Sequence, residues 1–400
     1  MATGPVPRSD NKLGRNVIAL GAVSFFTDVA SEMMYPLLPV FLASVRGARA
    51  SGSGGIEGAA ESVAALLKLA SGWWSDRVRL RKELVLVGYV IASAVRPFTA
   101  ATHTAAQVLG IRVTDRIGKG IRSTPRDALI AESVDPSIRG RAFGFHAAAD
   151  NAGAVVGPLI AFGVLYEWHT ALRTVFWLTA IPGAIAVAVL WIFVRDTPHE
   201  PGTGSRPQLF GTGLPGRFWW YLTVVFTFTL GNSTDAFLLL RARQLGVPIA
   251  LAPVLWALLN FVKSATGTHG GGLSDRIGRK PLIVGGWLLY AAVYFAFGVA
   301  HAAWEAWVLF AVYGVFYGMT EGTEKALVVD IVPSQRKGTA LGWYNLAIGI
   351  GALPASLIFG AIWDRVGATS AFMFGAAVAL VASVGMMFAA PRASGVTARG

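Results

Sequence analysis

A chain of 400 residues that is 54% hydrophobic and only 14% charged lies well below the roughly one-quarter charged content of ordinary soluble domains. Its net charge of +12 would point to nucleic acid in a soluble protein, but the basic residues are spread between apolar runs rather than gathered in one patch. There is no cysteine, which excludes disulfides and thiolate chemistry.

The apolar runs are near twenty residues long, among them 16–44, 83–101 and 281–300, each enough to cross roughly 30 Å of hydrocarbon as a helix. Barrel strands would instead alternate strictly over about ten residues. The expected fold class is therefore all-α and polytopic, with about 12 transmembrane helices over 16–44, 55–75, 83–102, 104–133, 140–166, 171–194, 217–242, 249–272, 281–300, 303–331, 337–363 and 369–390. The first run is too long for a signal-peptide core and reads as a retained helix. Connections are short except Arg195–Gly216, where Pro198, Pro201, Pro207 and Pro215 mark a linker. The chain thus divides into a tail (1–15), a six-helix bundle (16–194), the linker (195–216), a second bundle (217–390) and a tail (391–400). Every second connection is basic: one side holds 19 Lys and Arg from Arg8 to Arg399, the other only Arg46, Arg49, Arg173, Arg243 and Arg365. By the positive-inside rule both termini are cytoplasmic, in the inner membrane of a bacterial-type cell. The charge is topology, and nucleic acid is not an expected partner.

The connection after the second span, Gly72–Lys82 (GWWSDRVRLRK), has a twin at Gly271–Pro281 (GGLSDRIGRKP). Gly72 pairs with Gly271 and Asp76 with Asp275, both at an offset of 199. The segments 126–144 and 324–342 repeat at 198, pairing Ala128 with Ala326, Glu132 with Asp330 and Gly144 with Gly342. Thr27-Asp28 also resembles Thr234-Asp235. The chain reads as two similar six-helix halves in parallel orientation. Asp115-Arg116-Ile117-Gly118 copies residues 275–278 at an offset of 160, inside a span; it breaks the register and reads as coincidence.

GGLSDRIGRKP resembles the signature loop of the major facilitator superfamily, G-x-L-a-D-r-x-G-r-k, and the resemblance runs over 16–390. In the first copy Arg79 replaces the second glycine and Leu80 a basic residue. The resemblance implies a gating latch at Gly72, Asp76, Arg77, Arg81, Gly271, Asp275, Arg276, Gly278 and Arg279. Asp76 would cap a helix of the opposite half, at the positive end of its dipole, while Arg77 and Arg81 would hold neighbouring carboxylates. Gly153-x-x-x-Gly157-Pro158 partly resembles the fifth-span motif of proton-coupled exporters in that family, with Ala161 and Phe162 in place of its closing glycines. Small residues there permit close helix packing.

Ionisable residues in a bilayer cost a few kcal/mol or more and therefore pair or line a cavity. Asp28 and Glu32 share a face of the first span, with Asp28 about 18 Å from the cytoplasmic end. Glu57, Glu61 and Lys68 fall within about 40° of one another on the second. The fourth span carries Arg112, Asp115, Arg116 and Lys119, and Arg116-x-x-Lys119-Gly120 resembles the family's R-x-x-q-G element, whose arginine is linked to proton coupling. Arg122, Arg126 and Asp127 are expected to be solvated near its cytoplasmic end. His146 and Asp150 share a face of the fifth span, with Asn151 adjacent. The second half offers Asp235, Lys263 and Glu321, with aromatic residues such as Trp256, Tyr313 and Tyr317 that could line a site for a partly apolar cargo.

There is no Walker-type phosphate loop, no metal-ligand spacing and no catalytic constellation, so neither an enzyme nor an ATP-driven pump is expected. No cofactor is expected; a proton gradient would supply the energy. The expected activity is secondary transport of a small molecule with protons, as an exporter of drugs or metabolites working as a monomer. The alternatives are a symporter importing a small organic anion and a non-transporting receptor or scaffold.

Overall fold

The computed structural model describes residues 13–38, 41, 52–77, 81–168, 172–196, 213–233, 235–248 and 251–389. Arg8, Lys12, Arg46, Arg49, Arg79, Leu80, Pro198, Pro201, Arg206, Pro207, Thr234, Arg392 and Arg399 lie outside the described residues, as do the side chains of Glu57 and Glu61.

Among the described residues the chain is helical, without a strand. The first six spans are α1 (Arg15–Glu32), α2 (Gly52–Ser75), α3 (Lys82–Val95), α4 (Ala105–Glu132), α5 (Arg139–Trp168) and the pair α6 (Leu172–Leu178) and α7 (Ala180–Phe193). The second six are the pair α8 (Gly216–Gly231) and α9 (Ala236–Gln244), then α10 (Ala252–Ile277), α11 (Arg279–Val299), α12 (Ala303–Asp330), α13 (Lys337–Arg365) and α14 (Ala368–Ala389).

Four spans expected to be continuous are interrupted, each for a local reason. The first stops at Glu32 because Pro36 forces a short 3-10 turn over Tyr35–Leu37. The third tightens to a 3-10 turn over Arg96–Ala101 at Pro97. The sixth breaks at Thr179, whose hydroxyl donates to the Phe176 carbonyl at 2.6 Å. The seventh breaks after Gly231, and the freed Gly231 carbonyl accepts from the Tyr290 hydroxyl at 2.9 Å. GGLSDRIGRKP, read as a loop, is helical through Ile277; its turn is Gly278 alone, at φ +97°, a conformation that favours glycine.

Within the first half α1 packs on α5 and α7, and α4 on α2 and α3; within the second, α10 packs on α12, and α14 on α8 and α11. The halves meet where α5 lies against α10 and α12, and α2 against α13. Glycines set these seams. A Cβ at Gly338 would stand 2.5 Å from the Gly72 carbonyl, and Cβ atoms at Gly271 and Gly144 would run into the carbonyls of Gly140 and Gly267. The close approaches continue to Gly349, whose Cβ would meet that of Ala65 at 2.8 Å, 11 residues or about 16 Å along α13 from Gly338. They begin at the end of the bundle that carries Arg81, Lys82, Arg139, Arg279 and Arg336, hereafter the basic face.

Six described helical segments are long and apolar enough to cross a membrane, and they cover α3, α5, α6–α7, α11, α13 and α14. The remaining spans hold most of the buried charge.

The cysteine-free chain makes the α5–α10 seam testable. Ser264 Oγ donates to the Ala148 carbonyl at 2.8 Å, so cysteines placed at Ala148 and Ser264 should cross-link. Adding Gly144→Leu should suppress that cross-link severalfold, read as dimercaptan-bridged product on a cleaved-chain gel. Unchanged cross-linking would mean the glycines do not set the seam.

Candidate functional site

The basic face carries two copies of one arrangement. Asp76 follows the last residue of α2, and its carboxylate accepts from the backbone N–H groups of Gly338 (2.9 Å) and Thr339 (2.7 Å) and from the Thr339 hydroxyl (2.7 Å) at the start of α13. Arg81 bridges Asp76 (3.0 Å) to Glu132 at the end of α4 (2.8 Å). In the second copy Asp275 accepts from the N–H groups of Gly140 (2.9 Å) and Arg141 (2.8 Å) at the start of α5. Arg279 pairs with Asp275 and reaches Asp330 at the end of α12 (3.1 Å). Each carboxylate thus sits at the positive end of a helix from the opposite half. Arg77 lies over the Trp73 ring, 3.3 Å from its centroid, and Arg276 is exposed. The first copy keeps its bonds although the glycine position is filled by Arg79.

One layer deeper, α4 corrects the expectation of solvated charges near its end. Arg122, Arg126 and Asp127 are all buried, because α3, α1 and α12 close over that part of α4. Arg122 lies over the Tyr89 ring at 4.4 Å. Arg126 donates to Asp127 (3.0 Å), Ser24 (3.1 Å) and Tyr89 (3.3 Å). Asp127 then pairs with Lys325 of α12 at 3.1 Å, an ion pair between the halves. Nearby on α5, His146 Nδ1 is 3.7 Å from Asp150. The Asn151 side-chain amide donates to the Ala147 carbonyl of its own helix at 2.7 Å.

Deeper still, Gly153 and Gly157 of α5 face α1 directly. Cβ atoms there would lie 2.9 Å from the Asp28 Cβ and 3.0 Å from the Glu32 Cβ, so α5 leaves room at the two points where α1 carries its carboxylates. Pro158 follows inside the same helix. The charges acting on Asp28 are Asp150, Glu32, Lys119 and Arg122; those acting on Glu32 are Lys119, Arg116, Arg96 and Arg112. Asp115, read from the sequence as part of a chance repeat, is fully buried and accepts from Arg96 Nε at 2.7 Å, with Arg112 at 3.7 Å and Arg116 at 3.6 Å. Arg96 also donates to the Thr27 carbonyl at 3.0 Å. Lys325 stands out in the tenth span beside Glu321 and Glu324, but Arg96 was not singled out from sequence. It is a lone cation in an otherwise apolar stretch, and the signal that could have found it is the need of Asp115 for a partner. Lys68 sits on α2 beside α4, where its carbonyl accepts from Thr124 at 2.8 Å.

The second half is built differently. Asp235, at the break between α8 and α9, accepts from the Tyr313 hydroxyl at 2.8 Å. Lys263 lies over the Tyr317 ring at 3.6 Å and 5.9 Å from that of Trp256. Glu321 is half-buried on α12. One turn on, Glu324 accepts from Trp287 (2.9 Å) and Tyr344 (2.7 Å). A groove of about 760 Å³ between α3 and α6–α7, lined by Val90, Phe98, Trp177 and Trp191 among others, holds none of these charges. It is apolar and open. Among the described residues no group of His, Asp and Glu is spaced to hold a metal.

The chain matches the family profile of the Major Facilitator Superfamily over residues 20–356 and 242–399. It is 30% identical over 386 residues to an uncharacterised MFS-type transporter of Methanocaldococcus jannaschii, covering 95% of this chain and 96% of that one. It is 29% identical over 115 residues to the multidrug resistance protein MdtH of Escherichia coli, covering 29% of each. Its fold is similar to the crystal structure of the human organic anion transporter MFSD10, with a TM-score of 0.76 at 16% identity, covering 93% of this chain and 99% of that one.

Asp127 is shared by Arg126 and Lys325, so losing the carboxylate should cost more than losing one of its cations. Lys325→Met, which leaves Asp127 with Arg126, should lower stability by about 1.5 kcal/mol, and Asp127→Leu, which strands the buried Arg126, by about 3 kcal/mol. Thermal unfolding of the two single variants and of their combination measures the coupling; additive losses would show that the Asp127–Lys325 contact carries no energy.

Proposed function

Because the chain belongs to the major facilitator superfamily of membrane transporters, we propose that it exports a small molecule in exchange for protons. The cargo would cross by alternating access between the two halves. The excess of Lys and Arg supports a cytoplasmic basic face, and the two carboxylate caps formed there support an outward-facing reading of this conformation. Opening to the cytoplasm then requires Asp76 to leave the start of α13 and Asp275 the start of α5.

The observation that carries proton coupling is the α1–α5 contact. Asp28 and Glu32 lie against Gly153 and Gly157, within the electrostatic reach of basic residues of α4, with Asp150 also acting on Asp28. Acidic groups so close disfavour a shared ionised state, so one proton can be held among them and released when the basic row approaches. Export is favoured by the exporter-like glycines and by the partial likeness to MdtH. A second reading, import of a small anion with protons, is favoured by the three guanidinium groups of Arg96, Arg112 and Arg116 around the single carboxylate of Asp115.

In proteoliposomes an imposed pH gradient should drive cargo against its own gradient, and Asp28→Asn should abolish that driven flux while leaving exchange of labelled for unlabelled cargo within about threefold. Wild-type flux indifferent to the pH gradient would sink the coupling. Asp76→Ala should weaken the closed cytoplasmic side by about 1–2 kcal/mol, read as a roughly 5–30-fold rise in labelling of a cysteine introduced at Ser264 on the same seam. Equal labelling would remove the carboxylate cap from the gate.

A further inference from the structure

Several inward-facing cations rest on carboxylates: Arg81 on Asp76 and Glu132, Arg96 on Asp115, Arg126 and Lys325 on Asp127. Lys263, like Arg122 over the Tyr89 ring, lies on ring faces instead. It is 9% exposed, and its ammonium lies over the rings of Tyr317 (3.6 Å) and Trp256 (5.9 Å). Among the described residues no carboxylate lies within ion-pair range of it and no acceptor takes a hydrogen bond from it. Ring faces attract a cation electrostatically but leave the three N–H donors of an ammonium unsatisfied.

We infer that Lys263 binds the anionic group of the cargo, and that Trp256 and Tyr317 hold a flat aromatic body attached to that group. This rests on the reading of the chain as a transporter and names the class of molecule it would carry. The two acids that act on Lys263 through space, Asp235 and Glu321, do not form a pair with it; Asp235 receives the Tyr313 hydroxyl instead. Nor is the lysine required by the duplication of the fold. Its counterpart in the first half is Ala64, at the loop offset of 199, and Tyr317 corresponds to Lys119 at 198. An ammonium held in a membrane interior by ring faces and no carboxylate is costly, and a ligand anion is the group that would complete it.

The position also connects recognition to movement. Ser264, the next residue, donates to the Ala148 carbonyl across the α5–α10 seam, and the Gly267–Gly144 approach lies one turn further toward the basic face. A cargo carboxylate on Lys263 therefore sits directly over the contact that must part for the cytoplasmic side to open.

The test uses the full chain in lipid nanodiscs with 1-naphthoate, its neutral analogue 1-naphthamide and the cation 1-naphthylmethylammonium, read by tryptophan quenching. Naphthoate should bind at least tenfold more tightly than either analogue. Lys263→Arg should stay within about threefold of wild type, and Lys263→Met should lose tenfold or more. Because Lys263 rests on ring faces, which a methionine also packs against, and on no carboxylate, Lys263→Met should melt close to wild type. Absent naphthoate binding, equal binding of the amide, unchanged binding by Lys263→Met, or a Lys263→Met protein that melts well below wild type would each overturn the assignment. Lys263-dependent binding without pH-driven flux would refute proton coupling and leave this site standing. Flux driven by pH with Lys263→Met unimpaired would do the reverse.

Discussion

Two buried carboxylates, each bonded to the first N–H groups of a helix in the other half, hold this molecule together where its halves meet. Inside a bilayer there is no hydrophobic force to press helices together, since lipid tails are as apolar as leucine. Close packing and polar bonds must do it. Gly72 and Gly338 let α2 and α13 approach backbone to backbone, and Asp76 can then reach the N–H groups of Gly338 and Thr339. The same logic recurs with Gly271, Gly140 and Asp275. Either carboxylate would be intolerably placed without its cap, and either cap would leave N–H groups unsatisfied without its carboxylate. Such a contact is strong when formed and leaves no favourable half-open form.

Duplication creates a difficulty that the same region resolves. Equivalent residues near the axis relating two halves tend to face each other, as in a symmetric dimer. Identical charges there would repel at short range. Residues 126 and 127 are Arg and Asp, and their counterparts 324 and 325 are Glu and Lys. The inverted signs turn what would be a repulsive self-contact into the Asp127–Lys325 pair at 3.1 Å. One consequence is a division of Arg126 and Glu324 into separate environments. Arg126 joins Ser24 and Tyr89, while Glu324 is enclosed by Trp287 and Tyr344.

The sequence made the class, the spans and the two-fold repeat legible because each is written in local pattern: run length, basic connections and a recurring Asp at fixed offset. Breaks at Pro36 and Pro97 carried a local signal as well, but the run-length criterion ignores proline. The break after Gly231 depends on the Tyr290 hydroxyl, 59 residues away in sequence, and no local pattern reports it. The site was legible in part. Asp28, Glu32 and Asp150 stand out as acids in apolar runs. What was hidden is pairing: Asp115 matched a motif in the wrong register, and its nearest partner, Arg96, comes from another span just past the end of α3. Arg126 and Asp127 looked solvated because a helix end is usually wet, whereas here another helix from the opposite half covers it.

The two halves share a backbone plan but spend their interiors differently. The first places charge among charge, with Arg96, Arg112, Arg116 and Asp115 packed together. The second stacks rings: Phe228 on Trp287 at 4.5 Å and Tyr290 on Tyr294 at 4.1 Å. A charged interior responds strongly to gain or loss of one proton, because each ionisation alters the energy of its neighbours through a low-dielectric medium. An aromatic interior is indifferent to protons but offers flat apolar faces. On the reading developed above, the first half is therefore suited to sense the proton and the second to hold the cargo. Coupling between them then has to pass through the seams they share, α5 with α10 and α12, where Asp150, Lys263 and Lys325 all lie within a few turns of the same glycine contacts.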